Sequence, residues 1–311
     1  MSAQNVLFDA PGPRARRRHA LLTLLGFALA VVTIGLVLWK FQAQGQLEAS
    51  MWTSLFTADV WTAYLIPGLV NTLKAAVISI VLAMAFGLLF GMGRLSHLRS
   101  VRWISGIVVE FFRSVPVLLM MYFTYFYYSN NGVFTNEINP LAAVITGLTL
   151  YNGAVIAELV RSGVYGLPKG QSEAGLSIGL TPGQTLRAIQ LPQALTAMLP
   201  ALVGQLVVIL KDSALGTAVL YPELLQAARD IGTGYSNTIP AYVFVALIFI
   251  LVNYALTLLA GRVERRLNRR GRGPRKAAAV TGVVGVGTVD NPTDGLGGTG
   301  VYTGDPGSRG V

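Results

Sequence analysis

Cysteine is missing from all 311 residues, and histidine occurs only at His19 and His97. Disulfides, thiolate zinc sites, iron–sulfur clusters and cysteine nucleophiles are therefore excluded, and two histidines are too few for a histidine metal cage. Charge is also scarce, with Asp, Glu, Lys and Arg making up 12% of the chain, about half the roughly 25% of an ordinary soluble domain. Hydrophobic residues account for 53% and the mean hydropathy is +0.56. This balance excludes a soluble enzyme and predicts a polytopic membrane protein. The net charge of +10 would suggest a nucleic-acid partner in a soluble protein; in a membrane protein it marks the cytoplasmic side.

Six apolar stretches are long enough to cross about 30 Å of hydrocarbon. They run approximately 20–39, 64–91, 107–128, 140–159, 194–220 and 239–259. Arg14, Arg16, Arg17 and Arg18 precede the first, as in a signal peptide, but the stretch is too long for that and no convincing cleavage site follows. It is expected to be a retained anchor, over residues 20–40. The connections expected outside hold only Lys40 and Arg229, whereas those expected inside hold Arg94, Arg99, Arg102, Arg161, Lys169 and Arg187, with eight basic residues in 262–276. By the positive-inside rule both termini are expected in the cytoplasm, after a basic N-terminus over residues 1–19. The basic run starting at Arg262 directly follows a span, which favours anionic lipid over nucleic acid. Residues 263–311 are expected to be a basic and then Gly/Thr-rich disordered tail, poor in large apolar groups.

The connection at about 161–191 is far longer than a helical hairpin needs, and it is punctuated for two short helices. Ser172 is expected to cap a helix from Glu173 to Ile178, Gly179 to take the left-handed position after it, and Thr181-Pro182 to open a second helix. Glu173-Ala174-Gly175, then Gly179, then Ile189-Gln190-Leu191-Pro192 stand in the register of a known motif. The segment resembles the EAA loop of ATP-binding cassette importer permeases, with Gly175 in place of the second alanine. That replacement is expected to loosen the first helix slightly.

The resemblance covers about 64–262 and is closest to the polar amino acid uptake branch, most like the actinobacterial glutamate uptake permeases, the GluD-like group. It is carried also by Gly68–Leu73, Glu110–Pro116, Ala157–Gly163, Leu167–Gln171 and Leu210–Ser213. It implies an all-α fold of about six transmembrane helices around a type I importer permease core. It further implies a cell-membrane subunit that pairs with a second permease, a hetero-pair being the expectation. A cytoplasmic ATPase dimer carrying ATP and magnesium and an extracytoplasmic amino acid-binding protein complete the implied assembly, with no cofactor on this chain. The residues implied in ATPase coupling are Glu173, Ala174, Gly175, Gly179, Ile189, Leu191 and Pro192. The absence of any Gly-Lys dipeptide, and so of a phosphate-binding loop, agrees with ATP hydrolysis elsewhere.

Charges within apolar runs are costly, about 2.5–3.5 kcal/mol or more near the bilayer centre, and are therefore candidates for function. Lys211, Asp212 and Ser213 either receive the charged groups of a substrate or mark the outer end of a span where Lys211 snorkels. Asn71 joins this candidate pathway set, with helix–helix hydrogen bonding as the alternative. Arg113, Glu158 and Arg161 are read as an inner gate or a plain ion pair, Glu158 and Arg161 being i, i+3 neighbours. The aromatics Tyr122 to Tyr128 suit an interfacial belt, and Gly87 and Gly91 suit close helix packing. A secondary carrier or ion channel is the alternative function that the intramembrane charges alone would permit. An intramembrane enzyme lacks a catalytic set.

Overall fold

The structure is a computed structural model that describes residues 12–271, and among the described residues every regular element is helical. The first helix, α1 (Pro13–Ala43), is long enough to cross a bilayer and buries none of its residues. It therefore stands apart from the packed core, and it includes the expected anchor. Short helices α2 (Ala49–Thr53) and α3 (Ala58–Val60) lead through a π turn at Trp61–Leu65 into α4 (Ile66–Arg94). Then come α5 (Arg99–Ser114), α6 (Val117–Asn131), α7 (Asn139–Tyr165), α8 (Gly170–Ser177) and α9 (Pro182–Thr185). A second π turn, Leu186–Gln190, precedes α10 (Leu191–Asp212), which passes into a 3₁₀ turn, Ser213–Val219; α11 (Leu224–Gly234) and α12 (Thr238–Gly271) complete the fold. Both π turns end one residue before an Ile/Leu-Pro step, at Pro67 and Pro192. Proline offers no N–H to the preceding turn and its ring crowds the carbonyl four residues back, so the helix widens there.

Five continuous helical stretches can span a membrane: Pro13–Ala43, Ala58–Arg94, Asn139–Tyr165, Pro182–Val219 and Thr238–Arg262. The third expected span, 107–128, is different. It is broken into α5 and α6, which meet at 98°. Pro116 causes the break: it cannot donate to Phe112, and it drives Val115 out of helical geometry to φ −87°, ψ 126°. Apolar composition alone cannot register such a break, because α5 and α6 taken together remain apolar enough to read as one span.

The core forms where α4 crosses α7. The buried positions of α4 are all small, including Ala75, Ala76, Ser79, Ala83, Gly87 and Gly91. A Cβ on Gly87 would collide with Ile156, and one on Gly91 would lie 2.8 Å from Val160 Cβ. Close packing through the Gly87/Gly91 pair is thus what the helices require. Met121 of α6 and Met198, Leu202 and Ile209 of α10 close the cluster around Leu148 and Ile156. Within it, Gln205 of α10 donates to Asn152 Oδ1 of α7 at 2.6 Å. A second cluster joins the α2–α3 lead-in to α11 and α12 through Leu55, Val60, Leu224, Ile231 and Val245. Buried Asn237 ties this lead-in down by donating to Met51 O and Ser54 Oγ at 3.0 and 2.9 Å.

The expected tail after Gly271, including Arg272, Arg275 and Lys276, lies outside the described residues, as do residues 1–11 of the expected N-terminal segment.

Candidate coupling loop and ion-pair network

Two short helices do form after α7, joined by a glycine bend. The expected cap at Ser172 is incorrect: α8 starts at Gly170, with Lys169 as N-cap. The Lys169 carbonyl already accepts the N–H groups of Ser172 and Glu173 at 3.0 and 3.2 Å, so Ser172 lies within the first turn rather than before it. At the other end Gly179 has φ +85°. Leu180 N–H bonds Gly175 O at 3.2 Å and Gly179 N–H bonds Leu176 O at 3.0 Å, a Schellman closure that needs the left-handed glycine. Thr181 then opens α9 with a full capping box, donating N–H to Gln184 Oε1 at 2.8 Å and accepting from Gln184 N–H at 3.3 Å.

Gly175 is the contact on which the loop turns. It is buried, and a Cβ there would sit 2.6 Å from Thr185 Cγ2, 2.8 Å from Thr185 Oγ1 and 3.1 Å from Ile189 Cδ1. The glycine that departs from the EAA pattern is therefore matched by a threonine opposite it. Ile189 is spent on the same contact, and Leu191 packs against the main core. Glu173, Ala174, Gly179 and Pro192 are exposed. Two residues that motif reasoning missed join them: Leu176 is 46% and Ile178 75% exposed. Two large apolar side chains left open beside Glu173, at the tip of a rigidly closed loop, are the composition of a docking patch. Glu173 also borders a cavity of about 440 Å³ shared with Leu95, His97, Tyr165 and Gln190, which brings the α4–α5 turn against the loop.

One to two turns before the loop, α7 carries Glu158 and Arg161. Arg161 binds Glu158 through Nη2 at 2.5 Å and Nε at 3.1 Å, and its guanidinium lies 5.4 Å from the Tyr165 ring centre. The pair is part of a larger network. Arg94 at the end of α4 reaches Glu110 of α5 at 3.1 Å and Glu158 at 2.9 Å, and Arg113 reaches Glu110 at 3.6 Å and Glu158 at 3.4 Å. The Arg94 Nη1 contact with Glu158 lacks hydrogen-bond geometry, so it acts as charge attraction only. Three arginines and two glutamates thus bind α4, α5 and α7 together at the end from which α8 hangs. Arg94 escaped the sequence reading because its partners lie on other helices; Glu110, which stands i, i+3 from Arg113 on its own helix, could have been found from spacing.

The remaining candidates sit at the end of α10 and beyond it. Lys211 is exposed and Asp212 partly buried, at the last residues of the α-helix. Ser213 is fully buried and its hydroxyl donates to Leu210 O at 2.7 Å, so it is committed to the backbone. Asn71 is similarly engaged: its amide donates to Pro222 O at 2.9 Å, and its carbonyl accepts from Tyr221 Oη at 2.8 Å. With Leu224 N–H bonding Thr72 Oγ1 at 3.0 Å, these contacts clamp the 220–224 turn onto α4. Glu223, which sequence reasoning passed over, is the buried centre of that turn. It caps α11 by accepting from Leu225 and Gln226 N–H at 2.7 and 2.8 Å, and also accepts from the Thr217 hydroxyl. Burial raises its pKa above the usual carboxylate value, opposed by the Leu225 N–H, the Thr217 hydroxyl and the Gln226 N–H. Tyr221 is pushed up to about 12 by burial and by Glu223.

The model of the family described as binding-protein-dependent transport system inner membrane component matches residues 83–269. This chain belongs to that family. The permease is 45% identical over 235 residues to the glutamate transport system permease protein GluD of Corynebacterium glutamicum, covering 76% of this chain and 86% of that one. It is 38% identical over 207 residues to the probable glutamine transporter permease protein GlnP of Bacillus subtilis, covering 66% and 94%. Its fold matches a chain from the crystal structure of an amino acid ATP-binding cassette transporter with histidines, with a TM-score of 0.60, 26% identity and coverage of 66% and 95%. The permease is thus a multi-pass membrane subunit of an ATP-binding cassette importer and not an enzyme, ATP hydrolysis residing in a separate subunit. A secondary carrier or channel is set aside by this membership.

Proposed function

We propose that the permease forms half of a translocation path for glutamate or a closely related polar amino acid, and that α8 couples it to a cytoplasmic ATPase dimer holding ATP and magnesium. An extracytoplasmic amino acid-binding protein delivers the substrate, a second, unlike permease subunit supplies the other half, and both termini lie in the cytoplasm. The observation that carries the coupling reading is the exposed Glu173, Ala174, Leu176 and Ile178 patch, held on a loop closed by the Gly175–Thr185 contact and the Schellman turn. The 45% identity to a glutamate permease supports the choice of substrate.

ATPase closure moves α8 as a rigid body, and the Arg94–Glu110–Arg113–Glu158–Arg161 network carries that displacement into α4, α5 and α7 together. Arg113, Glu158 and Arg161 serve as an inner latch in this scheme. Lys211, and Asp212 beside it, are assigned to the path, with Lys211 drawing the substrate carboxylate; Ser213 and Asn71 hold the adjacent backbone.

The test is uptake of labelled glutamate by cells with and without the gene. Gene-dependent uptake is expected to stop on ATP depletion and to survive collapse of ion gradients while ATP is maintained. Glu173→Lys is expected to abolish it while leaving the chain inserted. No gene-dependent glutamate uptake would remove the substrate assignment, and normal uptake by Glu173→Lys would remove the docking assignment.

A further inference from the structure

A cavity of about 540 Å³ opens beside the ion-pair network, outside the coupling loop. Arg94, Arg99, Arg102, Arg161, Trp103, Ile107, Glu110 and Tyr165 border it with Gly106. The α5 contributors Arg99, Arg102, Trp103, Gly106, Ile107 and Glu110 recur at three- and one-residue steps, so they form one stripe along the helix, with α4 and α7 as the walls.

The charge of this cavity is unbalanced. Glu110 and Glu158 are shared among Arg94, Arg113 and Arg161. Among the described residues neither Arg99 nor Arg102 has a carboxylate within ion-pair distance; Arg102 donates only to Ser96 O at 3.2 Å. Both are exposed. Beside them the cavity is bordered by large apolar side chains left open to solvent: Trp103 is 70%, Ile107 49% and Tyr165 66% exposed. Unpaired arginines over an apolar, aromatic-edged hollow at the end of a helical bundle match a lipid with a charged head and greasy tails, not a soluble anion and not a flat protein surface. The guanidinium fork suits phosphate oxygens in particular.

We propose that this cavity binds the phosphate head of an anionic phospholipid, with Arg99 and Arg102 as its ligands and Trp103 and Ile107 against the acyl chains. Bound lipid would press on the helices tied by the ion-pair network, so lipid composition would reach the coupling loop.

Trp103 can report on the site. In the full-length chain with Trp39, Trp52 and Trp61 changed to Phe, brominated phosphatidylglycerol and brominated phosphatidylcholine are compared as quenchers of Trp103 fluorescence in mixed micelles. Native mass spectrometry of the unaltered chain from the same lipid mixture gives an independent reading. Phosphatidylglycerol is expected to be preferred by about fivefold per arginine near the surface. Arg99→Gln with Arg102→Gln should erase the preference, and Arg99→Lys with Arg102→Lys should retain most of it. Equal quenching by both lipids, or a preference that outlasts the glutamine pair, would overturn the proposal. Loss of the preference on adding inorganic phosphate would show a site for free anions instead. No quenching by either lipid would show that protein covers this face.

Discussion

Restoring the family alanine, by Gly175→Ala, should weaken the coupling loop rather than strengthen it. On an exposed helix the change would stabilise by about 0.8–1.0 kcal/mol through helix propensity. Here the new methyl would come within 2.6 Å of Thr185 Cγ2 and 2.8 Å of its Oγ1. Thr185 is buried, β-branched and unable to swing aside, so the overpacking cost of about 1–3 kcal/mol applies and leaves a net loss of about 0–2 kcal/mol. The repair is specific. Thr185→Ala removes both colliding atoms, and its hydroxyl has no hydrogen-bond partner to lose. Amide hydrogen exchange over residues 170–178 reads the effect directly: in Gly175→Ala it should accelerate by up to about 30-fold, the equivalent of 2 kcal/mol. The double variant should return to the wild-type rate. Faster exchange in the double variant than in Gly175→Ala alone, or slower exchange in the single variant, would refute the argument from packing.

Other perturbations follow from the same geometry. Glu158→Gln removes the carboxylate shared by three arginines and leaves Arg94, whose side chain is 13% exposed, with Glu110 alone; a loss of about 1–3 kcal/mol is expected in thermal unfolding, against less than about 1 kcal/mol for the more exposed Glu110→Gln. Gly91→Leu should block the α4–α7 crossing, because its Cβ already meets Val160 Cβ at 2.8 Å, and it should lower folded yield in the membrane. Glu223 has a raised pKa in the fold, so its protonated form is favoured there. Its contribution is present at low pH and is lost as pH rises from the ordinary value of 4.5 through the raised one. Glu223→Gln should flatten that dependence in a melting-temperature series while costing about 1–3 kcal/mol, since the amide can accept only one of the Leu225 and Gln226 N–H groups that two carboxylate oxygens now accept.

What could be read from the sequence was what depends on local spacing. Runs of apolar residues locate the continuous spans, and the Gly179 bend and the Thr181-Pro182-x-Gln184 box are fixed by neighbours within four residues. The i, i+3 pair Glu158–Arg161 is legible for the same reason. Contacts between distant segments were not. Arg94 and Glu110 meet across a turn and a helix, Thr185 is known as the partner of Gly175 only once α8 folds back, and Asn71 is a clamp because residue 222 lands beside it. The break at Pro116 illustrates the limit of composition: hydropathy stays high across it while the backbone turns through 98°.

The central claim, that α8 presents its exposed patch to the ATPase, can be tested on a background that needs no preparation, because the chain has no cysteine of its own. Single cysteines at Ala174, Ile178 and, as a half-buried control, Ile189 would be placed in the chain, co-expressed with its ATPase, labelled with a short maleimide–diazirine cross-linker and illuminated, so that no thiol is needed on the ATPase. The account predicts cross-linking to the ATPase from positions 174 and 178 and little from 189. Cross-linking equal at all three positions, or none from 174 and 178 in a complex that still transports, would contradict it.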